Sequence, residues 1–164
     1  MSVIDELVEA NEHFAAAAGK VEDPALPPRR GLAILTCMDA RIVPARLFGL
    51  EEGDAHVIRN AGGLAREGLR SLVISQRLLG TSAIAVVHHT DCGMLTFKNE
   101  DVYAKVEEDL GADASDIDFM PFGDLEQSVR DDVEFLKDSP LIAEATEIRG
   151  FVYDVETRRV TEVA

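Results

Sequence analysis

Apolar and polar positions follow two different periods along the chain, which indicates strands separated by helices. Three short apolar runs predict buried strands: "GLAILT" (31–36), "DAHVIRN" (54–60) and "SAIAVVHH" (82–89). Apolar residues recur every three or four positions in residues 2–19, 64–79 and 123–140, which predicts amphipathic helices. We also expect a short helix and a loop in residues 100–118, and a final strand and turn in "IRGFVYDVETRRV". Strands that alternate with helices favour an α/β class with a parallel sheet.

Capping residues, glycine and proline predict where several of the helices begin and end. Ser2 and Asp5 have the spacing of a capping box, and Gly80 is a typical helix stop. Asp124 and Gln127 have capping spacing at the start of the last helix. The prolines of "VEDPALPPRRG" (21–31) predict an extended connector. At 164 residues, the chain is expected to be a single domain.

The net charge of the chain argues against some classes of binding partner. The chain has 31 acidic residues against 16 lysines and arginines, a net charge of −15 that argues against nucleic acid and anionic membranes. No apolar run approaches the ~20 residues that span a bilayer, and the acidic start lacks the basic region of a secretory signal. We therefore expect a soluble, cytoplasmic protein. Its two cysteines are too few for a disulfide scaffold, which favours a metal or catalytic role.

Both cysteines lie at or just past the ends of predicted strands. Cys37 follows "GLAILT", and His88, His89 and Cys92 end "SAIAVVHHTDC". The carboxyl edge of a parallel sheet is where ligand sites form, and thiolate and imidazole are ligands that zinc prefers. Two cysteines and one histidine with an open fourth position are typical of catalytic zinc, which lowers the pKa of bound water to about 7 and so supplies hydroxide. Successive residues of a strand face opposite sides, so we do not expect both His88 and His89 to reach the metal.

Beside such a metal, Asp39 and Arg41 would have chemical roles. A carboxylate two residues from a ligand can orient the attacking hydroxide, or it can occupy the fourth position itself. An arginine can hold that carboxylate off the metal in a bidentate pair. Each motif alone is weak, because C-x-D-x-R is more often a buried cysteine followed by a surface ion pair. A redox pair of Cys37 and Cys92 also remains open.

Together, these motifs resemble the β-class carbonic anhydrases. "CMDAR" (37–41) and "HTDC" (89–92) match the two marks of that family, and the likeness continues through "HVIRNAGG" (56–63) and "SLVISQRLLGT" (71–81). By position, the resemblance implies zinc on Cys37, His89 and Cys92. This leaves packing as the simpler role for His88, with a proton relay as the alternative. It implies a catalytic dyad of Asp39 and Arg41. It also implies a substrate pocket lined by Gly62, Gly63 and Gly93.

The resemblance carries further expectations about fold and assembly. It implies a mostly parallel sheet of four or five strands flanked by helices. It also implies a homodimer or a higher even oligomer, with active sites at the interface and the helix of residues 2–19 packed on the partner subunit. The reaction expected is the reversible hydration of carbon dioxide to bicarbonate, with one Zn²⁺ per chain.

Two alternatives stay open at this point. Ala40 stands where many members of the family carry serine, so one hydroxyl near the dyad is missing. Small members of the family also resemble hydrolases of carbonyl sulfide and carbon disulfide, which leaves the substrate undecided. The other alternative is a silent, zinc-stabilised binding protein in which Asp39 closes the fourth position.

Overall fold

A five-stranded sheet forms the centre of the protein in this computed structural model, which describes residues 2–21, 24 and 26–164. The strands are β1 (Leu32–Cys37), β2 (Ala55–Asn60), β3 (Ala83–His89), β4 (Glu147–Tyr153) and β5 (Val160–Glu162). They lie in the order β2-β1-β3-β4-β5; the first four are parallel, and β5 pairs antiparallel with β4. This arrangement confirms the mostly parallel α/β sheet expected from the sequence.

Five α-helices accompany the sheet within the part of the chain that the structure describes. They are α1 (Val3–Ala18), α2 (Pro44–Phe48), α3 (Ala65–Leu79), α4 (Asn99–Leu110) and α5 (Leu125–Asp138). The predicted capping box of α1 is present, α3 ends at Gly80 in the left-handed conformation, and the Asp124 side chain caps α5. The sequence did not predict α2, because its five residues are too few to display a helical period. The expected proline connector lies partly outside the described residues.

The sheet has a different covering on each face. On one face, α3 and α5 enclose a core that includes the following buried residues: Ala33, Leu35, Leu72, Ile84, Val86, Val133 and Leu136. On the other face, a second core includes Ile34, Ile42, Val87, Cys37 and Cys92. The two cysteines therefore sit in apolar surroundings at the carboxyl edge of the sheet. Among the described helices, none is long and apolar enough to cross a membrane.

Candidate metal centre

Neighbouring strands bring the three candidate ligands together. Cys37 is the last residue of β1, His89 is the last residue of β3, and the two strands pair in parallel register. Cys92 follows in the turn after β3, which starts a short 3₁₀ turn at Gly93. One donor atom from each of Cys37, His89 and Cys92 lies within 4.8 Å of the other two, and all three residues are buried. The carboxyl edge of the sheet thus gathers two sulfurs and one imidazole at one point.

The histidine is prepared to bind a metal through one particular nitrogen. His89 Nδ1 lies 2.9 Å from the carbonyl oxygen of Thr90, to which it can only donate. This places the proton on Nδ1 and leaves a lone pair on Nε2. Nε2 is buried and has no hydrogen-bond partner among the described residues, an arrangement that costs free energy unless a ligand uses the lone pair. The residues present therefore fit a zinc ion, whose preferred donors are thiolate and imidazole.

The two cysteine side chains have pKa values shifted in opposite directions. The neighbouring Cys92 thiol lowers the pKa of Cys37, and the influence of Cys37 raises the pKa of Cys92. Nearby backbone groups of Asp39 and Gly62 also lower the pKa of Cys37. A thiolate, and not a thiol, is the form that binds a metal. The hydrogen bonds around Cys37 therefore favour the thiolate form of its side chain.

The Asp39 side chain lies beside the three donors, but its carboxylate pairs with Arg41. Its two carboxylate oxygens accept hydrogen bonds from Arg41 Nε at 3.0 Å and Arg41 Nη2 at 2.8 Å. This bidentate pair lowers the pKa of Asp39 to about 2. Asp39 Oδ2 approaches the free His89 Nε2 to 3.9 Å, yet Asp39 is not part of the three-residue donor group. The carboxylate is therefore close enough to orient a molecule at the centre while arginine retains it.

Two residues that the sequence reasoning missed hold this pair in place. Asp91 binds the far side of Arg41, with Oδ2 at 2.7 Å from Nη1 and its carbonyl oxygen at 3.0 Å from Nη2. Arg59, on β2, donates to the carbonyl oxygens of Cys37 at 3.0 Å and of Asp39 at 2.7 Å. The only sequence signals were the position of Asp91 within "HTDC" and of Arg59 within "HVIRN".

The three glycines that the resemblance assigned to the pocket have different surroundings. Gly63 packs against the first metal-ligand strand: a Cβ there would lie 2.8 Å from Cys37 N and from the carbonyl carbon of Thr36. At Gly62, where φ is +83°, a Cβ would meet Leu64, Met94 and Phe122 side-chain atoms at 3.2 Å. A Cβ at Gly93 would meet no atom of the described residues within 4 Å. Close packing therefore requires glycine at 63, whereas Gly93 borders open space.

We expect Gly63→Ala to destabilise the protein by about 3 kcal/mol, because it adds a backbone clash to the strain of a left-handed φ of +76°. Gly80→Ala is the matched control: the φ of Gly80 is +72°, but a Cβ there would meet no atom within 4 Å in the described part of the chain. In the control, the free energy of unfolding should fall by only about 1 kcal/mol, which is the cost of a left-handed φ without the clash. Urea unfolding measures both losses, and equal values would contradict the close approach of Gly63 to Cys37.

His88 faces away from the centre, in agreement with the expectation that it packs and does not bind the metal. It is fully buried, with Nδ1 at 2.8 Å from Ser128 Oγ and Nε2 at 3.1 Å from Asp132 Oδ2, both on α5. Adjacent strand residues point to opposite faces, so His88 and His89 serve different sides of the sheet.

Comparisons with known proteins agree with this geometry. The family model of the carbonic anhydrases matches residues 32–160. The chain is 40% identical to beta-carbonic anhydrase 1 of Mycobacterium tuberculosis, covering 99% of both chains. It is 32% identical to a carbon disulfide hydrolase of Saccharolobus solfataricus, covering 96% of this chain and 87% of that one. A crystal structure of carbonic anhydrase from Streptococcus mutans superposes with a TM-score of 0.94 at 49% identity, covering 100% of this chain and 99% of that one.

Proposed function

Because the chain belongs to the β-class carbonic anhydrase family, we propose that it catalyses the reversible hydration of carbon dioxide to bicarbonate at a zinc ion bound by Cys37, His89 and Cys92. The observation that carries the assignment of the site is the convergence of these three buried donors, with His89 Nε2 left without another partner. One Zn²⁺ per chain matches the single cluster of this kind among the described residues.

Each residue near the centre has a distinct part in the proposed reaction. When bound, zinc supplies acidity that makes water a nucleophile near neutral pH. Asp39 accepts a hydrogen bond from the attacking water. This contact orients the lone pair of the water oxygen toward the carbon of the substrate. Arg41 keeps Asp39 ionised and keeps it away from the metal, since both carboxylate oxygens are engaged by the guanidinium. Arg59 fixes the backbone between Cys37 and Asp39, which sets the distance between ligand and carboxylate.

The pairing of Asp39 with Arg41 argues against a silent zinc protein. Such a protein would use the Asp39 carboxylate as a fourth ligand, but here both oxygens accept hydrogen bonds from the arginine. Asp91 binds the same guanidinium from its other side and so anchors the arginine in that position. The arrangement favours an accessible metal position over a closed one.

Carbon disulfide is the second candidate substrate, because a carbon disulfide hydrolase is 32% identical over 96% of this chain. Both substrates are linear molecules with an electrophilic carbon, so one nucleophile serves either, and pocket shape decides between them. Stopped-flow hydration of carbon dioxide, run beside hydrogen sulfide release from carbon disulfide, separates the two. We expect carbon dioxide to give the higher kcat/KM; the reverse order would assign the chain to the hydrolases.

We also propose that the protein is a homodimer or a higher even oligomer in which α1 packs on the partner subunit. No residue of α1 is buried in the single chain. Ile4, Leu7 and Phe14 are 67%, 62% and 65% exposed, although they would favour an apolar environment. A second copy of the chain is the partner that would cover this helix and offset the cost of its exposure.

This proposal predicts that Leu7→Gln weakens the assembly. Removing the apolar side chain from a buried contact should raise the dissociation constant of the oligomer about tenfold. Glu6→Gln, at the adjacent exposed position of the same helix, is the control and should leave the constant unchanged. Sedimentation velocity over a range of concentrations measures both. Identical behaviour of the two variants would place α1 outside the subunit interface.

A reducing, cytoplasmic location would suit this site. Cys37 and Cys92 are free, and their sulfurs lie within 4.8 Å of one another. Oxidation to a disulfide would consume two of the three ligands, whereas a reducing compartment preserves them. We therefore propose the cytoplasm as the site of action.

A further inference from the structure

A buried polar cluster lies behind the metal centre, on the face of the sheet covered by α5. Its members are His88, Ser128 and Asp132, and none is more than 7% exposed. His88 Nδ1 lies 2.8 Å from Ser128 Oγ, and His88 Nε2 lies 3.1 Å from Asp132 Oδ2. Buried polar groups destabilise a fold unless they are hydrogen-bonded. These contacts satisfy both ring nitrogens, yet no part of the proposed reaction uses them.

The contacts fix His88 in one orientation. A carboxylate can only accept, so His88 Nε2 donates to Asp132. Ser128 Oγ lies beside His88 Nδ1 and also donates to the carbonyl oxygen of Leu125 at 2.8 Å, which ties the imidazole to the first turn of α5. The ring of Phe122 stacks on the imidazole with centroids 5.6 Å apart. His88 is thus held by α5 on one side of the sheet. Because His88 directly precedes His89 in the chain, the same contacts restrain the end of β3 that carries the ligand imidazole.

Asp132 also contacts the start of α3, through the same oxygen, Oδ2, that accepts from His88. Its Oδ2 also accepts a hydrogen bond from the backbone N–H of Ala65 at 3.0 Å. Ala65 is the first residue of α3, and Leu64 at the preceding cap position makes no side-chain capping bond. Asp132 therefore caps α3 from another helix, where a negative charge is also favourable to the helix dipole.

The start of α3 is in turn close to Cys37. Gly63 lies two residues before Ala65, and its Cα packs so tightly on the Thr36–Cys37 backbone that a Cβ would lie at 2.8 Å. One carboxylate oxygen thus restrains the loop that packs against Cys37 and the strand end that carries His89. These two segments lie beside Cys37 and His89, two of the three candidate ligands, whose strands pair in the sheet.

We propose that Asp132 is a positioning residue, which fixes the geometry of the metal ligands from the opposite face of the sheet through its bonds to His88 and Ala65. This inference rests on the proposed zinc site. It assigns no chemical step to Asp132, and it predicts a change in how the metal is held, beyond any change in stability.

The test compares cobalt-loaded variants, since the visible absorption of Co²⁺ reports the geometry of its thiolate and imidazole ligands. We expect Asp132→Ala to shift these bands and to lower metal affinity about tenfold, measured by competition with a chelator. Asp132→Asn should restore both, because its carbonyl oxygen can accept the bonds from His88 and Ala65. Asp131→Asn is the matched control on the same helix; Asp131 is exposed and accepts a hydrogen bond from Gln127, so it should behave like the unsubstituted protein.

Ser128→Ala provides a second route if Asp132→Ala does not fold. It removes one partner of His88 with a small change in volume, and we expect about a threefold loss of affinity with a band shift in the same direction. Native bands and native affinity in every folded variant, even with a lower melting temperature, would overturn the proposal and leave the cluster a purely structural one. If the unsubstituted protein gave no cobalt–thiolate bands, the zinc site itself would be wrong, and this inference would fall with it.

Discussion

The Cys92→Ser protein should bind zinc at least about a thousandfold more weakly than the unsubstituted chain, a loss of roughly 4 kcal/mol. A serine hydroxyl is a harder ligand than a thiol and stays protonated at neutral pH, so it cannot replace the sulfur. With Cys92 lost, only Cys37 and His89 remain of the three-donor group. Zinc content after dialysis against a defined chelator buffer measures the effect.

The same variant should also lose the thermal stability that zinc provides. A ligand that binds only the folded chain stabilises it in proportion to its affinity. Cys92→Ser should therefore melt near the temperature of the unsubstituted protein after zinc removal, and added zinc should raise that temperature very little. The zinc-free unsubstituted protein is the internal control for any packing change at residue 92. A variant that keeps one tightly bound zinc would exclude Cys92 as a ligand.

Asp39→Asn should separate catalysis from metal binding. We expect it to retain one zinc per chain but to lose about a hundredfold in kcat, which is typical of removing a group that positions a proton acceptor. Asparagine is neutral and offers one acceptor oxygen where the carboxylate offers two. It therefore cannot reproduce the bidentate contact with Arg41 at 2.8 and 3.0 Å.

Asp131→Asn makes the same chemical change on the exposed surface of α5 and should leave kcat unaltered. Zinc content and stopped-flow rates are measured on the same samples of both variants. Full turnover by Asp39→Asn at one zinc per chain would remove Asp39 from the catalytic assignment. Loss of zinc from that variant would instead make Asp39 a ligand.

The proximity of the candidate ligands could be predicted because it depends on features that a sequence displays. Cys37 and His89 each end a short apolar run, and parallel strands align their carboxyl ends at one edge of the sheet. The order of residues therefore implies their proximity without any knowledge of side-chain contacts. Strand alternation separated His88 from His89, and the family resemblance selected His89 as the candidate ligand; His88 is found buried against α5.

The supporting residues could not be predicted, since their roles depend on tertiary contacts. Arg41 and Asp91 are 50 positions apart, and Ala65 and Asp132 are 67 apart. A charged residue in a loop or on a helix gives no sequence signal of which distant backbone or guanidinium group it will meet. Arg59 is similar: its alternation along β2 indicates a face, but not the carbonyl oxygens of Cys37 and Asp39 that it binds.

Turnover as a function of zinc content tests the central claim most directly. The protein is stripped of metal under reducing conditions, reloaded with measured amounts of zinc, and assayed for carbon dioxide hydration by stopped flow. The account predicts that the rate rises linearly with zinc and reaches a plateau at one ion per chain. Turnover in the zinc-free protein, or one tightly bound zinc without turnover, would contradict it.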